Sequence, residues 1–431
     1  MNSKFEAVME GLVDRGGPGA AMGVRQGDQA PYLAGFGLAD VEWGATISPD
    51  TVFRIGSITK QFTAAAIMLL VEDGKLALDD TIQSVLADYP APERRVTIRH
   101  LLNHTSGIKN FNALPTFPER TDLTLAEVIG LFKDLPPDFA PGERYVYSNS
   151  GYVLLGAVIE ALSGMTYRAF LLERIFRPLR MRQTRYLYDE PIIAKRARGY
   201  RVGAKGIENA RTMSMTLPHA AGGLGSTVGD LLTWTHALRS GQVVSAQSYA
   251  AMIAPARLND GSLSEYGFGL MNLKFRDRTA IMHAGGINGF VAMMSHFKED
   301  DLAVVVLSNL ENFPVERAHL ALARRALDLP DAPARPRIAI AADDLGRCAG
   351  QYQLDLGPWT IVAHDGALTV PFPAPHSRYA PAAPNEFEFV DDPEITLRFD
   401  QPGEAGYQRV TVQGPMRWLR TTTGKRTATP S

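Results

Sequence analysis

The chain has 431 residues, long enough to bury a sizeable core without disulfides or metals and too long for one typical domain. Its 44 Lys+Arg against 46 Asp+Glu form no basic run or stripe, which excludes nucleic acid as an expected partner. The single cysteine, Cys348, makes neither an internal disulfide nor a cysteine-rich metal site and reads as a small buried hydrophobe, and no stretch approaches the ~20 apolar residues of a membrane span.

The opening "MNSKFEAVMEGLVDRGGPG" reads as an amphipathic helix with acids where a secretory signal needs an apolar core. On that reading the protein is soluble and cytoplasmic, or periplasmic if a leader has been removed. Next, "AAMGVRQGDQAPYLAGFGLAD" predicts two strands around a Gly-Asp turn, and "TVFRIG" a third. From Ile58 to Asp73 apolar residues recur at helical spacing and Gly74 is placed to stop the helix, so Ser57 stands at a helix N-terminus. Up to about residue 260 the segments are mostly helical: "LTLAEVIGLFKDL", "SGYVLLGAVIEALSG", "TYRAFLLERIF" and "VGDLLTWTHALRSG". Strand patterning returns in "EYGFGLMNL", "RTAIMHAGG", "GFVAMMSHF" and "LAVVVLSNL". Strands, then helices, then strands predict an α+β unit in which both chain ends share one antiparallel sheet and a helical insertion lies to one side. The Pro- and Ala-rich stretch 331–344 reads as a linker between a first domain, 1–330, and a second, 345–431, whose alternating segments with frequent turns predict a small all-β barrel or sandwich.

Three short motifs carry chemistry. Ser57-x-x-Lys60 places a lysine about 300° around a helix from the serine, on the same face one turn on, where it can take the hydroxyl proton if burial lowers its pKa. The bland reading is an N-cap serine with a surface lysine. A second copy, Ser106 to Lys109, has Gly107 inside it and no apolar helical run behind it, and is discarded as a loop. Tyr147-x-Asn149 offers a hydroxyl that can pass protons and an amide that can both donate and accept; its bland reading is a packed tyrosine before an N-cap asparagine. His283-x-Gly285 sits on a strand whose small residues let a substrate backbone lie against the sheet edge. The similar "HDG" at 364–366 is a hairpin turn, and "HLLNH", His100 to His104, lacks the glutamate and third ligand of a zinc site. "GGLGSTVGD" lacks a phosphate-loop lysine; Thr227 and Asp230 read as a capping box, and the stretch is expected to wall the site.

Taken together and in this order, the three motifs resemble the active-site elements of the serine β-lactamase and penicillin-binding protein superfamily. The H-x-G form is similar to its D-aminopeptidase, esterase and β-lactamase-related branch. "FRIGSITKQFTAAAIMLLVEDGKLALDD", "IRHLLNHTSGI", "PGERYVYSNSGYVLLGAVIE" and "AAGGLGSTVGDLLTW" resemble the same branch, and the likeness spans roughly residues 5–328. It implies a β-lactamase-like domain, an antiparallel sheet flanked by helices with a helical subdomain, followed by a small barrel. It further implies an acyl-enzyme on Ser57, with Lys60 and Tyr147 sharing acid and base duty and the proton acceptor left open between them. Asn149 would orient Lys60 and hold a substrate amide, His283 and Gly285 would face the substrate, and the backbone N–H groups of Ser57 and Gly286 would hold the oxyanion. No cofactor and no metal are implied. A histidine where relatives carry lysine is mostly neutral at pH 7 and holds a substrate carboxylate poorly. The expected substrate is therefore a short peptide or amide with an N-terminal D-residue. An esterase, then a D,D-peptidase, β-lactamase or non-catalytic penicillin-binding-like protein, are the alternatives. Self-association as a homo-oligomer stays open.

Overall fold

A computed structural model describes residues 2–90, 95–188, 191–331, 335–354, 357–371, 377–390, 392–403, 406–414 and 422–428. Contacts divide the chain into two units, Met1–Asn272 with Ala280–Leu327, and Leu273–Thr279 with Asp328–Ser431.

The first unit contains α1 (Asn2–Glu10), β1 (Ala20–Gln26), β2 (Tyr32–Phe36), α2 (Thr59–Glu72), α3 (Asn149–Ser163), α4 (Val228–Arg239), the start of β3 (Met271–Phe275), all but the first two residues of β4 (Arg278–Ile287), β5 (Phe290–Phe297), β6 (Leu302–Ser308) and α5 (Val315–Ala326). The main sheet has the order β3-β4-β5-β6-β1-β2. Both chain ends meet in it as the sequence predicts: β1 pairs antiparallel with β6 from Ala20↔Ser308 to Gln26↔Leu302. Every residue of β6 is buried, with α4 and α5 packed on it, which is why this strand reads as an unbroken apolar run instead of alternating. Two predicted strands differ. Phe53–Arg54 leaves the main sheet and pairs with Leu224–Ser226, and strand structure in "EYGFGLMNL" is confined to its end. Gly269, at φ +68°, is pressed so close to α2 that a Cβ there would lie 2.5 Å from the Lys60 carbonyl oxygen, and a regular strand cannot follow that path.

Helix α2 is buried without a break from Thr59 to Leu70, so it is a central helix with no solvent face. Phe62 stacks on Trp234 at 4.1 Å between ring centroids, and the Trp234 indole N–H donates to Gln61 Oε1 at 3.0 Å. Gly74, at φ +69°, follows its C-terminus as the sequence predicts. No single helix among the described residues is long and apolar enough to cross a membrane; the bent pair Asn149–Ser163 and Tyr167–Phe176 passes by composition, but α3 is a core helix with its residues from Ser150 to Ile159 buried.

The second unit is an eight-stranded antiparallel barrel, closed where Gly350–Leu354 pairs with Thr422–Ala428. Alternating burial along Gly350–Leu354 sends Tyr352 and Leu354 inward to meet Ile361, Leu368, Phe387 and Phe399. "HDG" is the two-residue hairpin turn expected, with Asp365 at φ +47° and Gly366 at φ +68°. Of the stretch read as a linker, 332–334 lie outside the described residues. Arg335 is held by Glu386 at 2.7 Å and by Glu388 at 2.5 Å, and 342–344 open a short helix, Ala342–Cys348. Cys348 is fully buried and burial pushes its thiol up to about 12. Part of the last predicted strand region, 415–421, lies outside the described residues.

Candidate active site

The site begins at a tight entry to α2. Gly56, at φ +50°, turns the chain into a 3₁₀ turn, Gly56–Ile58, which runs directly into the α-helix. The caps of these two elements are Ile55 and Ile58, and neither receives a side-chain capping bond. Ser57 is thus not the cap that its position in the sequence allowed. Its side chain, partly exposed, is left for other work.

One turn on, the Lys60 side chain is fully buried. Its Nζ lies 3.1 Å from Ser57 Oγ, 2.8 Å from Asn149 Oδ1 and 2.8 Å from the Ala221 carbonyl oxygen. None of these partners is a carboxylate. Burial without a counter-charge holds the Lys60 amine well below its ordinary pKa. The faces of Tyr147 and Tyr152, with centroids 4.7 and 5.5 Å from Nζ, favour the charged form, but cation–π attraction reaches only about 2 kcal/mol even at dry sites and is outweighed by desolvation. As a neutral amine, Lys60 donates two N–H bonds to Asn149 Oδ1 and Ala221 O. Its lone pair is then left facing the serine hydroxyl, which is the arrangement a general base needs.

Tyr147 and Asn149 arrive on the N-terminus of α3. Ser148 is the N-cap, accepting from Gly151 N–H, so Asn149 is not spent on capping. Its Oδ1 takes the lysine, and its Nδ2 donates to Asn112 Oδ1 at 2.8 Å. Burial raises the pKa of the Tyr147 hydroxyl, against a smaller lowering by the Ser57 hydroxyl, so it is a neutral phenol at pH 7. Beneath it lies His104, itself at φ +60°, with ring centroids 4.3 Å apart. His104 Nδ1 accepts from Ser148 N–H at 3.1 Å and its carbonyl from Val146 N–H at 3.0 Å, which fixes the loop that delivers Tyr147. Burial, then the Lys60 charge, keeps this imidazole neutral well below its ordinary pKa.

His283, expected from the sequence to face the substrate, stands on β4. Its side chain is buried on β4 and both ring nitrogens are engaged: Nδ1–H donates to Ala284 O at 2.5 Å, and Nε2 accepts from the Tyr266 hydroxyl at 2.9 Å. It is not among the side chains lining the cavity beside Ser57, and its ring centroid lies 6.4 Å from that of Tyr147. Burial, then the Lys60 charge, lowers its pKa to about 3. Gly285 also lies behind the site: a Cβ there would sit 2.0 Å from Ile55 O and 3.2 Å from Ser57 N, so only glycine lets β4 approach the turn bearing Ser57. Reciprocally, a Cβ on Gly56 would lie 2.9 Å from Gly286 N. This mutual contact packs the backbone of Gly285 and Gly286 against the Gly56–Ser57 turn.

A cavity of 240 Å³ opens beside Ser57, Asn149, Gly286 and Asn288, with Phe117 and Met213 in its wall. A larger cleft, 760 Å³, contains none of Ser57, Lys60, Tyr147 or Asn149. Of the features set aside in the sequence, His104 lies under Tyr147 and Gly222 lines the cavity beside Ser57, while the others fall elsewhere. Lys109 pairs with Asp138, His100 completes a capping box with Thr97, and Asp230, whose N–H caps to Thr227, turns its carboxylate to Thr184. No group of metal-ligating side chains occurs among the described residues. Sequence reasoning missed Asn112 and Glu119, which lie in a segment without periodicity, and passed over Tyr266 and His104 although "EYGFGLMNL" and "IRHLLNHTSGI" contain them.

Comparison with known proteins agrees with this geometry. The profile of the Beta-lactamase family matches residues 2–329. Penicillin-binding protein 4* of Bacillus subtilis is 30% identical over 360 residues, 77% of this chain and 78% of its own length. A D-aminopeptidase of Gluconobacter oxydans is 27% identical over 353 residues, 78% of this chain; the chain spans 64% of that relative's length. Among solved structures, D-amino acid amidase from Ochrobactrum anthropi SV3 complexed with D-phenylalanine superposes with a TM-score of 0.67 at 26% identity, covering 76% of this chain and 98% of that one. An octameric penicillin-binding protein homologue from Pyrococcus abyssi shares the fold over 98% of this chain and 99% of its own, with a TM-score of 0.69 at 24% identity. The chain belongs to the Beta-lactamase family, whose members include serine hydrolases such as D-aminopeptidases and D-amino acid amidases.

Proposed function

We propose that this protein is a serine hydrolase that cleaves amide or peptide bonds of short substrates carrying an N-terminal D-amino acid, through an acyl-enzyme on Ser57. The observation that carries the reading is the 3.1 Å contact between Ser57 Oγ and a buried lysine amine with no carboxylate partner. In acylation, Ser57 Oγ attacks the carbonyl carbon as its proton passes to Lys60 Nζ. The oxyanion is held by the N–H groups of Ser57 and Gly286. Collapse expels the amine, and the proton held on Lys60 reaches it through the Tyr147 hydroxyl. Water then attacks the ester under the same pair and releases the acid. The opposite pKa directions at the two groups favour Lys60, not Tyr147, as acceptor of the serine proton.

The amide preference rests on the relatives, a D-aminopeptidase and a D-amino acid amidase. It is supported by the cavity wall, in which no lining side chain is cationic, so nothing there matches the free carboxylate of a β-lactam or a D,D-peptide. Its 240 Å³ also lies below the about 300–1,000 Å³ of drug-sized pockets, which suits a small acyl group. The test is hydrolysis of D- and L-alanine p-nitroanilides, each with free and acetylated amine, by wild type and Ser57→Ala. Release from the free-amine D-compound alone, abolished in Ser57→Ala, is expected. Release from none of the four sinks the aminopeptidase reading; turnover of p-nitrophenyl esters would then point to an esterase.

A further inference from the structure

An aminopeptidase must hold a substrate ammonium, and none of the three sequence motifs supplies a group for it. Among the side chains lining the cavity beside Ser57, one alone is ionisable, the carboxylate of Glu119. We propose that Glu119 is the subsite for the substrate's primary ammonium group, an inference that rests on the function proposed above.

Glu119 comes from the loop between Phe111–Ala113 and the helix Leu125–Gly130, and its carbonyl accepts from Ser214 N–H at 2.9 Å, which pins the loop at the cavity rim. Its Oε1 accepts from Asn288 Nδ2 at 2.8 Å, while Asn288 Nδ2 also donates to Arg211 O at 3.2 Å. Among the described residues no hydrogen bond is made to Glu119 Oε2. Asn288 sits in the two-residue turn, closed by Gly289 at φ +81°, that follows Ile287 and joins β4 to β5. It is two residues beyond Gly286, about 7 Å along the strand direction.

The distances fit. An α-amino nitrogen lies about 2.5 Å from its carbonyl carbon, and a charge-assisted hydrogen bond to a carboxylate oxygen adds about 2.8 Å. With the carbonyl oxygen between the Ser57 and Gly286 N–H groups, the oxygen receiving the ammonium stands about 5 Å from the reacting carbon, inside the stretch of wall from Gly286 to Asn288. The carboxylate is also partly shielded, with Phe117 and Met213 in the same wall, so its attraction is less screened than at an open surface. An acylated amine has no charge to offer and gains nothing from this group. Glu119 thereby selects free N-termini, while Asn288 keeps it from collapsing into solvent.

Glu119→Gln tests this cleanly, because the amide keeps an oxygen for Asn288 and loses only the charge. Calorimetric titration of D-alaninamide at pH 7 into Ser57→Ala, which cannot turn it over, and into Ser57→Ala/Glu119→Gln reads the subsite without catalysis. The dissociation constant should weaken at least tenfold in the double variant, a loss of about 1.4 kcal/mol, whereas N-acetyl-D-alaninamide should bind both alike. Equal affinity of D-alaninamide for the two proteins, or no binding to either up to tens of millimolar, overturns the proposal. Turnover separates it from the reading it rests on. Glu119-dependent binding with no hydrolysis of D-alaninamide by wild type leaves the cation subsite standing and removes the aminopeptidase, while hydrolysis unaffected by Glu119→Gln does the reverse. Turnover of p-nitrophenyl acetate unchanged within twofold shows that Glu119→Gln is folded; loss of that turnover as well would make Glu119 a structural residue and end the proposal.

Discussion

Replacing Gly285 by alanine tests whether the site depends on the approach of β4 to the turn bearing Ser57. The added Cβ would stand 2.0 Å from Ile55 O and 3.2 Å from Ser57 N. Carbon–oxygen contacts settle near about 3.3 Å, so the two segments must part by more than about 1 Å. Both are backbone, and neither can swing aside as a side chain can. Overpacking of this kind costs about 1–3 kcal/mol, which lowers the melting temperature by a few degrees but leaves a folded protein. Activity should suffer far more. The separation moves the Gly286 N–H relative to Ser57, and a displacement of about 1 Å at a reacting centre costs on the order of 10²-fold, seen chiefly in kcat. The assay is steady-state kinetics on any substrate wild type turns over, together with a thermal melt. As a comparison, Gly229→Ala on α4 places its Cβ 3.6 Å from Leu33 Cδ1, an ordinary contact, and should keep both activity and melting temperature. Gly285→Ala with kcat/KM within about threefold of wild type would show that the close contact does not set the oxyanion geometry.

Other perturbations separate the roles of the buried groups. Lys60→Met should lower kcat/KM by about 10³-fold or more, and Tyr147→Phe by about 10²–10⁴-fold; a Tyr147→Phe variant at wild-type rate would remove the phenol from proton transfer. Wild-type kcat/KM should rise with pH through an apparent pKa of the Lys60–Tyr147 pair below the ordinary lysine value, with no step from His283, whose pKa is lowered to about 3; a His283 imidazole that titrates between pH 5 and 8 by NMR would contradict its burial. His319, fully buried with Nε2 2.9 Å from Ser295 Oγ, is likewise lowered to about 3 by burial. As pH falls the unfolded chain protonates this imidazole first, near 6.5, so its contribution is complete above that value and is lost between 6.5 and about 3. His319→Gln should therefore lose about 3 kcal/mol less stability than wild type between pH 7 and pH 4 in urea melts, and an identical loss would refute the assignment.

How much the sequence showed depended on whether the signal was local. The helix that carries Lys60 has an apolar run and a stop glycine within one stretch, and Tyr147 to Asn149 lead into a second strong helix, so both could be placed by number. The meeting of β1 with β6 could be read from strands at both ends flanking a helical middle. The surroundings of His283 are not local: it shares a strand face with Gly285, which approaches Ser57, but the pairing of its ring with Tyr266 is a tertiary fact. Likewise, nothing local told that Ser148 and not Asn149 would cap α3, or that Ile55 and Ile58 would leave Ser57 uncapped. Glu119 and Asn112 lie in a loop without periodicity, where only folding shows that they reach the cavity. Barrel closure was invisible because it depends on pairing Gly350–Leu354 with Thr422–Ala428, at opposite ends of the second unit.

The central claim is that Ser57 carries the acyl group, and intact-protein mass spectrometry after acid quench tests it most directly. Wild type mixed with the p-nitrophenyl ester of D-alanine should gain the mass of one D-alanyl group, placed by peptide mapping on the segment containing Ser57, and Ser57→Ala should gain none. An adduct that persists in Ser57→Ala, or that maps to any other residue, contradicts the account.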